Sequence, residues 1–74
     1  MIDKLVKHLL KYCIDNNINA YCDGTSILVN SQAYLLYQNA HGEYVYWNNY
    51  KWVEFTLQDP NIVKTLKRIL LNAN

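Results

Sequence analysis

The stretch EYVYWNNYKWVEF, Glu43 to Phe55, decides how this chain folds. Two short runs rich in Tyr, Trp, Val and Phe flank an Asn-Asn pair, the pattern of two β-strands joined by a tight reversal. Strand side chains alternate, so Tyr44 and Tyr46 fall on one side while Glu43, Val45 and Trp47 fall on the other. In the second run Trp52 and Glu54 stand opposite Val53, Phe55 and Leu57. How the two sets combine depends on the turn, because a slip of one residue exchanges a strand's faces relative to its neighbour. A two-residue loop at Asn48-Asn49 sets Val45 against Trp52 and Glu43 directly against Glu54. A three-residue loop of Trp47, Asn48 and Asn49 sets Tyr44 against Trp52 and Tyr46 against Tyr50. Like charges directly opposed cost a few tenths to about 1 kcal/mol, whereas aromatic cross-strand pairs are favourable, so the three-residue loop is the preferred register.

That register places Val45, Val53, Phe55 and Leu57 on the inner side of the sheet, with Leu35, Ile27 and Val29. It turns Tyr44, Tyr46, Tyr50 and Trp52 outward, together with Tyr34 and Tyr21. Eight of the chain's ten aromatic residues lie between Tyr34 and Phe55. An exposed face of that composition exceeds what a monomer ordinarily shows to water, and such patches mark partner sites. Aromatics are also ordinary strand formers, and cross-strand contact alone explains some of them.

Upstream, Asp23-Gly24 separates residues 18–22 from 25–29 and predicts a hairpin, with both residues supplying positive φ. Asn30-Ser31 marks a second reversal. Ala33 to Gln38 reads as a strand and residues 39–42 as a loop. At the N-terminal end, Ile2, Leu5, Val6, Leu9 and Cys13 share one helical face, with Lys4, Lys7 and Lys11 on the other. Asn16-Asn17 ends that helix, since Asn tolerates the left-handed conformation of a C-terminal cap. At the other end, Asp59 is the N-cap and Pro60 the first position of a second helix. Its apolar stripe is Ile62, Val63, Leu66, Ile69 and Leu70; Lys64, Lys67 and Arg68 oppose it. The expectation is a single α+β domain over residues 1–74. An antiparallel meander of three to five strands is flanked by an N-terminal and a C-terminal helix packed on one sheet face.

Half the residues are apolar and 18% are charged, a globular composition. Net charge is +1, unevenly spread: residues 2–16 sum to +1, residues 60–72 to +3 and residues 17–59 to −3. No apolar run approaches membrane-spanning length and Lys4, Lys7 and Lys11 interrupt any leader-like segment, which predicts a cytoplasmic protein with no membrane partner and with Cys13 and Cys22 reduced. Ten asparagines beside many Ile, Lys and Tyr fit an AT-rich coding genome.

No catalytic motif, metal-ligand spacing or phosphate loop is present, so neither an enzyme nor a cofactor is expected. His8 and Cys13, five apart on a helix, do not share a face, Cys13 reads as a buried hydrophobe and His41 as a loop residue. The functional expectation is a non-catalytic protein-binding module whose contact residues are Tyr34, Tyr44, Tyr46, Tyr50 and Trp52. Its partner is a second copy, giving a homodimer, or a larger target. Small motif-free chains of this composition occur among phages and mobile elements, including inhibitors of host defence such as anti-CRISPR proteins. The alternative is nucleic-acid binding through Lys4, Lys7, Lys11, Lys64, Lys67 and Arg68. In element order and length the chain resembles double-stranded RNA-binding domains, α-β-β-β-α. The basic cluster of that family opens its second helix after a Gly-containing loop, whereas Asp59-Pro60-Asn61 opens it here.

Overall fold

The computed structural model describes residues 2–30 and 33–73; the expectations for the Ile2 side chain and for Ser31 lie outside it. Helix α1 spans Ile2–Asp15 and five strands follow: β1 (Ala20–Asp23), β2 (Ser26–Val29), β3 (Ala33–Gln38), β4 (Tyr44–Trp47) and β5 (Trp52–Phe55). Helix α2, Ile62–Ala73, ends the fold. The strands form one antiparallel sheet in the order β1-β2-β3-β4-β5, a meander in which each strand pairs with its sequence neighbours. This is the expected α+β arrangement, with five strands rather than the three of the RNA-binding order.

Apolar stripes on both helices converge on one sheet face. Leu5, Val6, Leu9 and Cys13 of α1 and Ile62, Leu66, Ile69 and Leu70 of α2 form a single cluster with Ile18, Ile27, Val29, Leu35 and Leu36. Burying a side chain of this size contributes about 1.5–3 kcal/mol, so these residues carry the fold. Lys67 adds a bridge across the helical layer, its Nζ 5.1 Å from the centroid of the Tyr12 ring. No described helix is long and apolar enough to cross a membrane.

The boundaries follow local chemistry. At the end of α1, Ile18 N–H donates to the Cys13 carbonyl at 2.8 Å and Asn17 N–H to that of Ile14 at 3.3 Å, with Asn17 at φ 57°. That is a Schellman cap, and Ile18 and Cys13, the residues its longer bond joins, are both buried in the core cluster. Asn16 adds a side-chain bond, Nδ2 to the Tyr12 carbonyl at 2.8 Å. At the start of α2, Asn61 N–H donates to Asp59 Oδ1 at 2.9 Å, the bond expected of an N-cap two residues earlier. Regular helix then begins at Ile62.

Two turns differ from expectation. In the first hairpin Asp23 pairs with Ser26, so the tip is Gly24-Thr25. Gly24 has φ 64° and Asp23 does not enter the left-handed region, so one glycine at the first tip position suffices. In the second, Tyr44 pairs with Phe55, Val45 with Glu54, Tyr46 with Val53 and Trp47 with Trp52. Asn48 N–H continues the pairing to the Lys51 carbonyl at 3.1 Å, leaving Asn49-Tyr50 at the tip. The Asn48 side chain explains the longer connection: its Oδ1 accepts from Tyr50 N–H at 3.0 Å and Lys51 N–H at 2.9 Å, while Asn49 takes φ 81°.

This register is displaced by three residues from the preferred one. An odd displacement exchanges faces, so β4 is turned over relative to expectation. Tyr44 and Tyr46 therefore lie on the helix side, packed against the core beside Phe55 with ring centroids 5.9 and 5.8 Å from it. Val45, expected inside, stands on the opposite face between its pair partners Tyr37 and Glu54, and is only 5% exposed.

Candidate functional site: the uncovered sheet face

Opposite the helices lie the side chains that alternation and cross-strand pairing turn outward. Tyr21, Leu28 and Tyr34 form one row across β1, β2 and β3. Tyr37, Val45 and Glu54 form another across β3, β4 and β5, and Trp47 and Trp52 a third. Tyr34 and Tyr37 are three apart and would face opposite ways in a regular strand. A β-bulge brings them together: Ile27 pairs with Leu36 but Leu28 with Tyr34, leaving Leu35 as the extra residue. Leu35 and Leu36 are consequently both buried in the helix-side core, and the aromatic residues on either side of them emerge on one face.

The rings on this face touch in series. Tyr34 and Tyr37 centroids are 5.9 Å apart, Tyr37 meets Trp52 edge to face at 4.8 Å and 83°, and Trp52 lies 5.3 Å from Trp47. Each such pair contributes about 0.5–1.5 kcal/mol beyond burial, so the cluster stiffens the sheet as well as presenting surface. Tyr34, on the central strand β3, is 41% exposed, and Trp52, on the edge strand β5, is 39% exposed. Two shallow depressions open among them, one lined by Ser26, Tyr34, Tyr37 and Trp52, the other by Ala33, Tyr34, Trp47 and Trp52.

Beside this cluster stands a pair of carboxylates. A hydrogen bond that the protonated Glu54 carboxyl can make to Glu43, with the charge of Glu43 adding to it, raises the Glu54 pKa above its ordinary value. Glu43 is itself tied to its loop, where Asn39 Nδ2 reaches Oε1 at 3.2 Å. Asn39 Oδ1 meanwhile accepts from His41 N–H and Glu43 N–H at 2.9 and 3.0 Å. The two-residue stagger explains why the pair is tolerated: Val45, not Glu43, stands directly across from Glu54.

Of the residues expected to form the contact surface, the structure puts Tyr34 and Trp52 on the open face. Tyr44 and Tyr46 are on the covered face, and Tyr50 is at the hairpin tip, 87% exposed and away from the ring cluster. Tyr37 and Trp47 were not foreseen as members. For Tyr37 the signal was the adjacent pair Leu35-Leu36, two bulky aliphatics where alternation demands one; for Trp47 it was Asn48, a side chain suited to closing the turn after Trp47.

On the helical layer, Lys4, Lys7, Lys11, Lys64 and Arg68 are exposed, and Lys67 is half-buried over Tyr12. Burial raises the Cys13 thiol pKa, whereas Cys22 is exposed, with Sγ 2.9 Å from the Gly24 carbonyl. Among the described residues no three His, Cys, Asp or Glu side chains are grouped to hold a metal ion. Lys4, Leu5, His8, Leu57, Ile62 and Val63 line a groove between the helices and the segment after β5. No family model, curated protein or solved structure matches the chain.

Proposed function

We propose that this protein is a non-catalytic binding module that engages another protein through its uncovered sheet face. The observation that carries the reading is the continuous set of rings Tyr34, Tyr37, Trp47 and Trp52 on the side opposite both helices. Tyr and Trp give large, rigid contact area with little side-chain entropy to lose, and they dominate the residues that carry binding energy. A chain of this size acts on a larger target by occupying its surface, which is the manner of a small inhibitor or adaptor.

The test is capture of a partner from the source cell with the native chain and with Tyr34→Arg and Trp52→Arg, both confirmed as folded by circular dichroism. A partner held by the native chain and lost from both variants supports the reading. Retention by both refutes it.

Nucleic-acid binding is a second reading, favoured by the exposed cations Lys4, Lys7, Lys11, Lys64 and Arg68 on the helical layer. It requires oligonucleotide affinity that falls by roughly three to five decades between about 50 and 200 mM salt. The sheet face itself is a poor nucleic-acid surface, because Glu43 and Glu54 adjoin its rings.

A further inference from the structure

Charge in this molecule is divided between its two layers. The segments carrying α1 and α2, residues 2–16 and 60–72, sum to +1 and +3, while residues 17–59 sum to −3, of which one charge is the Asp59 cap of α2 and the remaining −2 belongs to the sheet and its turns. Within that middle segment Lys51 is the one lysine or arginine, against Asp23, Glu43, Glu54 and Asp59. On the open face the acid is close to the rings. Glu54 is two residues along β5 from Trp52 on the same side, about 7 Å away, and it shares a row with Tyr37. Glu43 and Glu54 line one depression at the end of this face.

Aromatic faces and carboxylates both attract cations, the first through the ring quadrupole and the second through charge. A guanidinium stacks on a ring and still directs its N–H fork at a carboxylate, so a face carrying both suits Arg above other side chains. The footprint is small. Five strands at about 4.8 Å spacing and four residues at about 3.3 Å rise give an area roughly 19 by 13 Å. A standard interface between globular proteins takes about 20–30 residues a side, more than a patch of this size presents. It matches one short segment laid across the sheet.

We infer that the open face receives a short Arg- or Lys-bearing segment of a partner protein, its cation lodged among Tyr37, Trp52 and the Glu43–Glu54 pair. This rests on the protein-binding reading and supplies the chemistry of the partner. A second copy is a poorer occupant face to face, where two copies oppose like charge; front to back the contact is heterologous and gives rings or open chains, which the scattering arm of the test reads. Phosphate groups are repelled by the same carboxylates.

The test uses the full chain in ¹⁵N-labelled form, titrated with the capped peptide acetyl-Gly-Arg-Gly-Arg-Gly-amide. Matched peptides carrying Glu or Ser in place of Arg are run in parallel. The expected result is saturable shifts of the Trp47 and Trp52 indole N–H signals with the Arg peptide alone. Binding weakens about tenfold in Trp52→Ala, and also in Glu54→Gln, a variant that leaves the rings in place. Saturable, Trp52-dependent binding of the Ser or Glu peptide, equal to or tighter than that of the Arg peptide, overturns the inference while leaving the protein-binding reading intact. Shifts confined to the helical layer, or no binding by any peptide at millimolar concentration, also overturn it. Concentration-dependent growth in light scattering, abolished by Trp52→Ala, would overturn it in favour of a second copy.

Discussion

Truncation of Tyr46 separates the two faces of the sheet energetically. Tyr46 pairs with Leu36 and Val53, packs against the core and lies 5.8 Å from Phe55. Removing a fully buried aromatic side chain costs about 3–5 kcal/mol, and for a half-buried one roughly 2–3 kcal/mol is expected. At about 4–8 °C per kcal/mol for a domain of this size, Tyr46→Ala lowers Tm by roughly 10–20 °C. The comparison is Tyr34→Ala. Tyr34 is 41% exposed and its ring contact among the described residues is with Tyr37, so its loss costs about 0.5–1 kcal/mol. Urea titration followed by circular dichroism reads both variants, with an unchanged m value confirming that the same surface is exposed on unfolding. A Tyr34→Ala variant as destabilised as Tyr46→Ala would refute the assignment of Tyr46 to the covered face.

Other consequences are as direct. Asn17→Ala, which places a Cβ-bearing residue without a compensating amide at φ 57°, destabilises by about 1 kcal/mol in the same titration, and Asn17→Gly does not. In the folded protein Cys22 reacts with a thiol reagent and Cys13 does so only on unfolding, because Cys13 is buried and its thiol pKa is raised. Glu54→Gln raises Tm at neutral pH and leaves it unchanged below the ordinary carboxylate range. The sign follows from the raised folded-state pKa: the folded chain holds the Glu54 proton to higher pH than the unfolded chain. That contribution is full below the unfolded pKa and is lost as pH rises through the folded one.

Element order, both helix stripes, the Asn17 cap and the Asp59 cap were legible because each rests on local pattern. Leu9 and Leu66 bury where a period of 3.6 puts them, and Asn17 and Asp59 act through bonds spanning a few residues. The site was less legible because it depends on parity. The Asn48 carboxamide bonds Tyr50 and Lys51, moves the tip to Asn49-Tyr50, and with it turns Tyr44 and Tyr46 inward. A single extra residue, Leu35, puts Tyr37 beside Tyr34. Neither a side-chain-closed turn nor a bulge leaves a periodic trace, although each has a local signature in Asn48 and in Leu35-Leu36. The apparent objection to this parity, the carboxylate pair, is met by a stagger that sets Val45 rather than Glu43 across from Glu54.

Nuclear Overhauser contacts among the aromatic rings test the placement of the open face most directly. The structure requires contacts from Trp47 to Trp52 and from Tyr37 to Trp52 in one set, and from Tyr44 and Tyr46 to Phe55 in another. Contacts from Tyr44 to Trp52 and from Tyr46 to Tyr50 would contradict it, restoring the other register, with Val45 beneath the helices and Trp47 in the loop.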